Sequence, residues 1–276
     1  MDQDGHRIFD EDTIRYLKDI LKCNNCLETP KRGPIFQCSS GHLLCSSCSD
    51  ECSQCNDTSN KCRSVLAERI LDEIPAPCDN SGCETILYRG DLEKHLLEDC
   101  IYRKLPCIIP TCDNMVPIRD IVKHVDREHV KSDTFTANGS SLGHYLHVDT
   151  SFFEKESWWK PTLLEICDEQ DKSCQHFSFQ CHRTESGQWK LWVYCVGSLI
   201  KSRLFQYQII LSLGSEEVLY RDQTVYLGHT LENIIHYGYG LSLSDEGAKR
   251  FWDPNEMKIR FRVAVFRKTE KTESSS

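Results

Sequence analysis

No run of about 18 consecutive apolar residues occurs in the 276-residue sequence, so no helix long enough to span a bilayer is expected. The N-terminus, MDQDGHRIFD, has neither the basic start nor the apolar core of an export signal. Both absences point to a soluble, intracellular chain, cytoplasmic or also nuclear, without membrane contact. Basic residues are also in deficit: Lys plus Arg total 33 against 42 Asp plus Glu, a net charge of −9. A polyanion such as DNA is repelled on average by such a chain, and a basic or neutral peptide suits it better.

Cysteine is abundant by contrast, with 17 residues. In a reducing compartment thiols do not persist as disulfides, so metal ligation is the expected use. Their placement agrees: thirteen lie between Cys23 and Cys112, and four between Cys167 and Cys195. A chain of this length exceeds what one small core organises, and composition shifts near residue 131, where a domain boundary is expected.

The first cluster runs Cys23, Cys26, Cys38, His42, Cys45, Cys48, Cys52, Cys55, with 2, 11, 3, 2, 2, 3 and 2 residues between successive members. Two-residue gaps let a pair of thiolates turn back onto one zinc ion, and eight ligands make two tetrahedral sites. The next segment repeats internally. Cys78, Cys83, His95 and Cys100 are separated by 4, 11 and 4 residues, and Cys107, Cys112, His124 and His129 follow the same spacing at an offset of 29. Each unit reads as a knuckle, a short hairpin and a helix, DLEKHLLEDC or IRDIVKHVDREH, from which His95 and His124 project with the last ligand about one turn later.

Every position of these sites is filled by protein, which leaves no coordination position for a water or substrate. The expected cofactor is therefore structural Zn2+, about four ions per chain. There is no His-Glu-x-x-His motif and no spare carboxylate pair, so a hydrolytic metalloenzyme is rejected. DNA reading by the Cys2His2 unit is a rival, but residues 78–131 carry eight basic and ten acidic side chains, without the basic face that phosphate contact needs. No nucleic-acid partner is expected.

After residue 131 the alternation is strand-like. In KIRFRVAVF, Ile259, Phe261, Val263 and Val265 fall on one face with Lys258, Arg260 and Arg262 opposite. LFQYQIILSLG, QWKLWVYCV and FSFQC are similar runs bounded by turns such as TESG and GSEE, which predicts an antiparallel sandwich. Two helical stretches interrupt it, LENIIHYG and DEGAKRFW, the latter capped by Ser244. Cys167, Cys174, Cys181 and Cys195 repeat no metal spacing and are expected as core thiols. Trp158 and Trp159 stand in a polar stretch and either cap the sandwich or line a peptide groove.

The order of three cysteines, one histidine and four cysteines resembles a RING. That resemblance implies interleaved ligation, with Cys23, Cys26, Cys45 and Cys48 on one zinc and Cys38, His42, Cys52 and Cys55 on the other. Cys62 is then spare, either an unligated thiol or a substitute for Cys52. The first is preferred because Cys52 and Cys55 keep the compact pair.

The whole order of parts resembles the seven-in-absentia (SIAH-type) RING ubiquitin ligases over about residues 20–267. CSSGHLLCSSC, SGCETILYRGDLEKHLLEDC, the CIIPTC to HVDREH unit, YQIILSLGSE and SDEGAKRF carry the resemblance. It implies an α+β multidomain chain: an N-terminal segment (1–22), a RING cross-brace (23–62), two small zinc fingers (63–131), a TRAF-like antiparallel β-sandwich (132–268) that binds substrates, and a disordered tail (269–276).

The resemblance also implies a partner E2 enzyme charged with ubiquitin, substrate proteins bound through extended peptides, a homodimer, and no catalytic residue in this chain. RINGs of this kind usually present an apolar residue between the first two cysteines and a proline between the last two. Here the E2-facing positions are Asn24, Asn25, Ser53, Gln54 and Asn56. Their polarity keeps open an alternative: a non-catalytic scaffold that binds substrates or dimer partners without productive E2 coupling.

Overall fold

The computed structural model describes residues 9–56, 58, 61–129, 135–136, 141–159, 161–167 and 174–268. The expected boundary at 131/132 and the expected tail 269–276 lie outside the described residues. The chain divides into two compact units, residues 1–97 and 98–276.

The first unit opens with helix Glu11–Ile20, capped by Asp10, whose carboxylate accepts from Thr13 N at 2.8 Å. Ile14 and Leu17 on its apolar face pack with Leu21, Ile35, Ala67, Leu71 and Ile74 into one small core. Strand Ile35–Gln37 runs antiparallel between Leu43–Cys45 and Cys62–Arg63. Helix Val65–Asp72 closes over it and is held there by a buried charge. The Glu68 carboxylate accepts from Ile35 N at 2.9 Å and from Arg63 Nε and Nη2 at 2.8 Å each. That pairing with Arg63 draws the Glu68 carboxyl down to about 2.

The second unit is built on a two-sheet sandwich. In the larger sheet, strands Val225–Tyr226, Gln188–Val196, Cys174–Arg183, Thr162–Cys167 and Phe135–Thr136 lie side by side, with Ser157–Trp158 and Leu241–Ser244 added at the ends of longer strands. The other holds Glu216–Gln223, Phe205–Leu213, Lys258–Arg267 and Trp252–Asp253, with Ser141–His147 also paired to Lys258–Arg267. Pairing is antiparallel except at two short edges, 135–136 and 225–226.

The period-two pattern of Lys258–Arg267 holds: Ile259, Phe261, Val263 and Val265 are buried between the sheets. Phe179 stacks on Phe261 across the sandwich at 4.5 Å between ring centroids. Strand Gln188–Val196 departs from simple alternation, because it is buried on both faces. Trp189, Leu191, Val193 and Cys195 enter the inter-sheet core, whereas Trp192 and Tyr194 enter a second core. That second core is completed by Leu105, Ile108, Val116, Ile118, Ile121 and Val125. The segment 104–125 is thus packed on the sheet as a third layer, and Gln180 Nε2 donates to Ile108 O at 3.3 Å across the junction.

The four cysteines expected as core thiols divide. Cys181 and Cys195 are buried in the inter-sheet core. Cys167 and Cys174 are exposed and joined by a disulfide, which corrects the expectation for those two. The strand register places them directly opposite on neighbouring strands, so proximity and not apolarity decides their state.

One ion pair ties the sandwich to helix Asp245–Lys249, which Ser244 caps as expected by accepting from Gly247 N at 3.2 Å. Arg183 is 5% exposed and donates through Nε and Nη2 to Asp245 at 2.8 and 2.7 Å, while Trp189 Nε1 donates to the same carboxylate at 2.7 Å. Gly187, at φ +75°, makes the turn that lets this happen, since a Cβ there would stand 2.5 Å from Asp245 Oδ2.

Asp245→Asn should cost the sandwich about 3 kcal/mol, the low end of what breaking a buried pair costs because Asp245 itself is partly exposed. Arg183 beside Asp245 holds its carboxyl below the usual carboxylate range, so the contribution is full at neutral pH and fades as pH falls below about 4. Thermal melts followed by tryptophan fluorescence should show the deficit at pH 7 and its shrinkage in acid. An equal deficit at pH 3 would refute the electrostatic origin.

Candidate metal centres

Four groups of ligand atoms converge, each within 4.8 Å: Cys23, Cys26, Cys45, Cys48; Cys38, His42, Cys52, Cys55; Cys78, Cys83, His95, Cys100; and Cys107, Cys112, His124, His129. The first two groups interleave along the chain. Each group draws on two loops that are distant in sequence, and their sulfurs form a small core with Leu44.

The loops that hold them share a local geometry. Leu27 N donates to Cys23 O at 2.8 Å and Asn56 N to Cys52 O at 2.7 Å, and both Leu27 and Asn56 take positive φ, 61° and 52°. Each Cys-x-x-Cys pair is thereby turned back on itself. Between them, Cys38 N donates to His42 O at 3.1 Å and His42 N to Cys38 Sγ at 3.3 Å, with Gly41 at φ 90° completing the turn.

The 29-residue repeat is also a repeat of geometry. Cys78 N donates to Thr85 O at 2.9 Å, and Cys107 N to Asn114 O at 3.0 Å. Cys83 N donates to Asn80 O, and Cys112 N to Ile109 O, at 3.0 Å each. Asn80 N and Ile109 N each stand 3.4 Å from the first sulfur of their unit, N–H bonds that stabilise a thiolate. The units differ at the last ligand: His95–Asp99 is a wide π turn leading to Cys100, whereas helix Ile121–Glu128 leads directly to His129.

The separations suit a bound ion. A tetrahedral ion with metal–sulfur bonds of about 2.3 Å and metal–nitrogen bonds of about 2.05 Å requires S···N edges of about 3.6 Å and S···S edges of about 3.8 Å. Cys38 and Cys52 lie 3.4 and 3.5 Å from His42 Nδ1, and Cys83, Cys112 and Cys107 lie 3.5 Å from Nε2 of His95, His124 and His129 respectively. Cys26 and Cys45 sulfurs are 4.0 Å apart, and those of Cys55 and Cys38 3.6 Å. Burial raises the Cys83 thiol, but its contacts with Thr85 and His95 outweigh that and hold it at about 6.

Cys62 joins none of the four groups. It is exposed on its strand with its sulfur 3.8 Å from Gln37 O.

Of the positions expected to face an E2, Asn24 and Asn25 spend their amides inside the domain. Asn24 Oδ1 accepts from Leu43 N at 2.9 Å. Asn25 Nδ2 donates to Glu51 O at 2.6 Å and Cys48 O at 3.3 Å, and its Oδ1 accepts from Ser53 N and Oγ at 2.9 and 2.8 Å. The amide of Asn25 thus staples the first metal loop to the loop carrying Cys52. Gln54 is exposed, Asn56 is the positive-φ residue after Cys55, and Leu27 is left 67% exposed beside Cys26.

The two tryptophans separate. Trp159 is buried, stacks on Phe152 at 4.9 Å, packs tilted against Trp189 at 4.8 Å, and donates Nε1 to His147 O at 2.9 Å, so it belongs to the core and lines no groove. Trp158 stacks on His182 at 4.1 Å and lines a cavity of about 450 Å³ with Gln180, Trp192, Tyr194, Ile109 and Leu231.

Two interleaved Cys/His centres, two repeated ones and a β-sandwich define a multi-centre metal-binding chain of RING and finger type. No family model matches it. The E3 ubiquitin-protein ligase SINA-like 8 of Arabidopsis thaliana is 30% identical over 211 residues, 74% of this chain and 72% of that protein. SINA-like 9 of the same plant is 35% identical over 117 residues, 40% of this chain and 42% of the relative. The E3 ubiquitin-protein ligase siah-1 of Caenorhabditis briggsae is 30% identical over 164 residues, 57% of this chain and 36% of the relative. The chain belongs to the seven-in-absentia (SINA/SIAH) family. It spans about half or less of the length of several of these relatives, SINA-like 9 and siah-1 among them.

Proposed function

We propose that this chain is a RING-type E3 ubiquitin ligase whose four Cys/His centres hold zinc. The observation that carries the reading is the interleaving of Cys23, Cys26, Cys45, Cys48 with Cys38, His42, Cys52, Cys55, supported by the ligase names of the relatives. Zinc supplies rigidity here and no chemistry, since each centre is filled by four protein ligands. Seven of the eight RING cysteines are committed as ligands and Cys62 alone stands outside the centres; a RING ligase carries no thioester of its own, so the acyl transfer is read as occurring on the E2.

The contribution of this chain is to hold a ubiquitin-charged E2 near a substrate lysine, which turns an encounter into an oriented, effectively unimolecular attack. The Asn25 staple fixes the two metal loops relative to each other, and exposed Leu27 and Gln54 are the side chains they offer to the E2. The sandwich is read as the substrate domain and the homodimer contact. Extended peptides add main-chain hydrogen bonds to a sheet edge, with the cavity at Trp158 available to one side chain. Ubiquitinated substrates would then pass to the proteasome, in the cytoplasm or nucleus, without nucleic acid or membrane.

The test is autoubiquitination by the zinc-loaded chain across a panel of charged E2 enzymes. At least one E2 should be discharged roughly 10- to 100-fold faster than without the chain. Silence across the panel would overturn the reading in favour of a scaffold that binds substrates or dimer partners without E2 coupling, which the polarity of Ser53, Gln54 and Asn56 favours.

A further inference from the structure

We propose that Glu165, Cys167, Cys174 and His176 form a further metal site on the sandwich, closed by the Cys167–Cys174 disulfide and opened by its reduction. The site is independent of the ligase reading. Cys167 stands directly opposite Cys174 in the strand register, and Glu165 directly opposite His176. Side chains alternate along a strand and opposite residues share a face, so all four project from one side of the pair.

The residues between them point inward. Gln175 is buried and donates Nε2 to Val196 O at 2.9 Å, and Ile166 packs on the inter-sheet core. The outward face is accessible: both cysteines are exposed, and the side chains of Glu165 and His176 are each 28% exposed.

Three of the four donors are already gathered, and the fourth, His176, stands beside Glu165. Glu165 oxygen and the two sulfurs lie within 4.8 Å of one another, and His176 Nε2 is 3.3 Å from Glu165 Oε1. Two thiolates, an imidazole and a carboxylate make a four-coordinate donor set for zinc or an ion of similar preference. This site differs from the other four centres because its sulfurs are paired with each other. This bridge is the one disulfide among the described residues.

A disulfide offers no thiolate, so the oxidised pair holds no ion. A dithiol reductant transfers two electrons and two protons to the bridge, breaking the S–S bond to give two thiols while the reductant leaves as its own disulfide. A divalent ion then displaces the two thiol protons and binds both sulfurs. The sandwich would thereby take up metal under reducing conditions and release it when a small-molecule disulfide accepts the two electrons, re-forming the S–S bond and leaving as its own two thiols.

The experiment uses the full chain and Zn2+ alone as probe, with metal counted by mass spectrometry after gel filtration in zinc-buffered solution. The same preparation is measured with the bridge intact and after reduction by a phosphine. Reduction should add one zinc per chain. The Cys167→Ser/Cys174→Ser double variant should gain none, and His176→Ala, which keeps the bridge and the fold, should bind the added ion at least tenfold more weakly. Cobalt in place of zinc should add the charge-transfer absorption of a two-thiolate site only in the reduced wild type. Equal zinc before and after reduction would overturn the proposal. A gain that persists in the double-serine variant would overturn it too, since it would place the ion on another thiol such as Cys62. Unchanged affinity in His176→Ala would overturn the ligand set.

Discussion

Replacing His124 by Ala should unfold more than the finger that carries it. Binding free energy in a small zinc module is folding free energy, about 10–16 kcal/mol when all four ligands are present, and losing one ligand removes most of it. The helix Ile121–Glu128 and the strands of that finger then have little to hold them. Their apolar face is Leu105, Ile108, Val116, Ile118, Ile121 and Val125, and it covers Trp192, Tyr194 and Val225 of the larger sheet. Each such side chain gains about 1.5–3 kcal/mol from burial, so uncovering the layer removes several kcal/mol from the sandwich itself.

At about 2–4 °C per kcal/mol for a unit of this size, the sandwich melt should fall by about 10 °C or more. All five tryptophans lie between Trp158 and Trp252, so their fluorescence reports that unit alone. Cys83→Ser is the control. Its centre, with Cys78, His95 and Cys100, adds no residue to either core of the sandwich, so the tryptophan melt should stay in place. The core that the His124 finger shares with the sheet separates the two substitutions. An unchanged tryptophan melt in His124→Ala, with its zinc demonstrably gone, would mean that the third layer contributes no stability.

What could be read in the sequence follows the range of the forces involved. The ligand pattern was legible because a knuckle is local: residues two to five apart fix where two sulfurs point, and the 29-residue repeat carries matching backbone hydrogen bonds at Asn80 and Ile109. The alternation of Lys258–Arg267 was legible for the same reason. The third layer was not, although a signal for it existed. QWKLWVYCV is apolar at nearly every position, and such a run marks a strand covered on both faces, where a single sandwich would have needed alternation.

Other misses are matters of register and partner. Trp158 and Trp159 are consecutive in an extended segment, so they face opposite ways and only one can line a groove. Cys167 and Cys174 meet because the register puts position 167 opposite 174, which spacing alone does not reveal. Asn24 and Asn25 were visible as polar residues where apolar ones are usual. Their partners, Leu43, Cys48, Glu51 and Ser53, are 19 to 28 residues away and had to be seen in the fold.

Cys52→Ser should empty the second RING centre, and Cys62→Ser should be nearly silent. The sequence preferred Cys52 for its compact pair with Cys55, and the geometry supplies a second argument in the same direction. Cys52 is fully buried with its sulfur 3.5 Å from His42 Nδ1, and its carbonyl accepts from Cys55 N and Asn56 N at 3.3 and 2.7 Å, the tight turn that brings both thiolates to one ion. Serine keeps the size of the side chain but not a donor that ionises near neutral pH, so the fourth ligand is lost. The chain must also cross from Cys48 to Cys52 through three residues, which reach at most about 10–14 Å when extended. Asn25 holds both ends of that crossing, through Cys48 O at 3.3 Å and Glu51 O at 2.6 Å. Loss of the second ion should therefore loosen the first centre as well. Chelator titration followed by a zinc-sensitive dye should show Cys52→Ser giving up its RING zinc at chelator concentrations roughly 100-fold lower than the wild type, with E2 discharge abolished in the same preparation. Cys62→Ser should retain both ions, because its sulfur belongs to neither centre and lies 3.8 Å from Gln37 O at the edge of the sheet. The opposite pattern would assign the fourth ligand to Cys62 and release Ser53 and Gln54 into a longer loop, and the E2-facing surface would have to be redrawn from that loop.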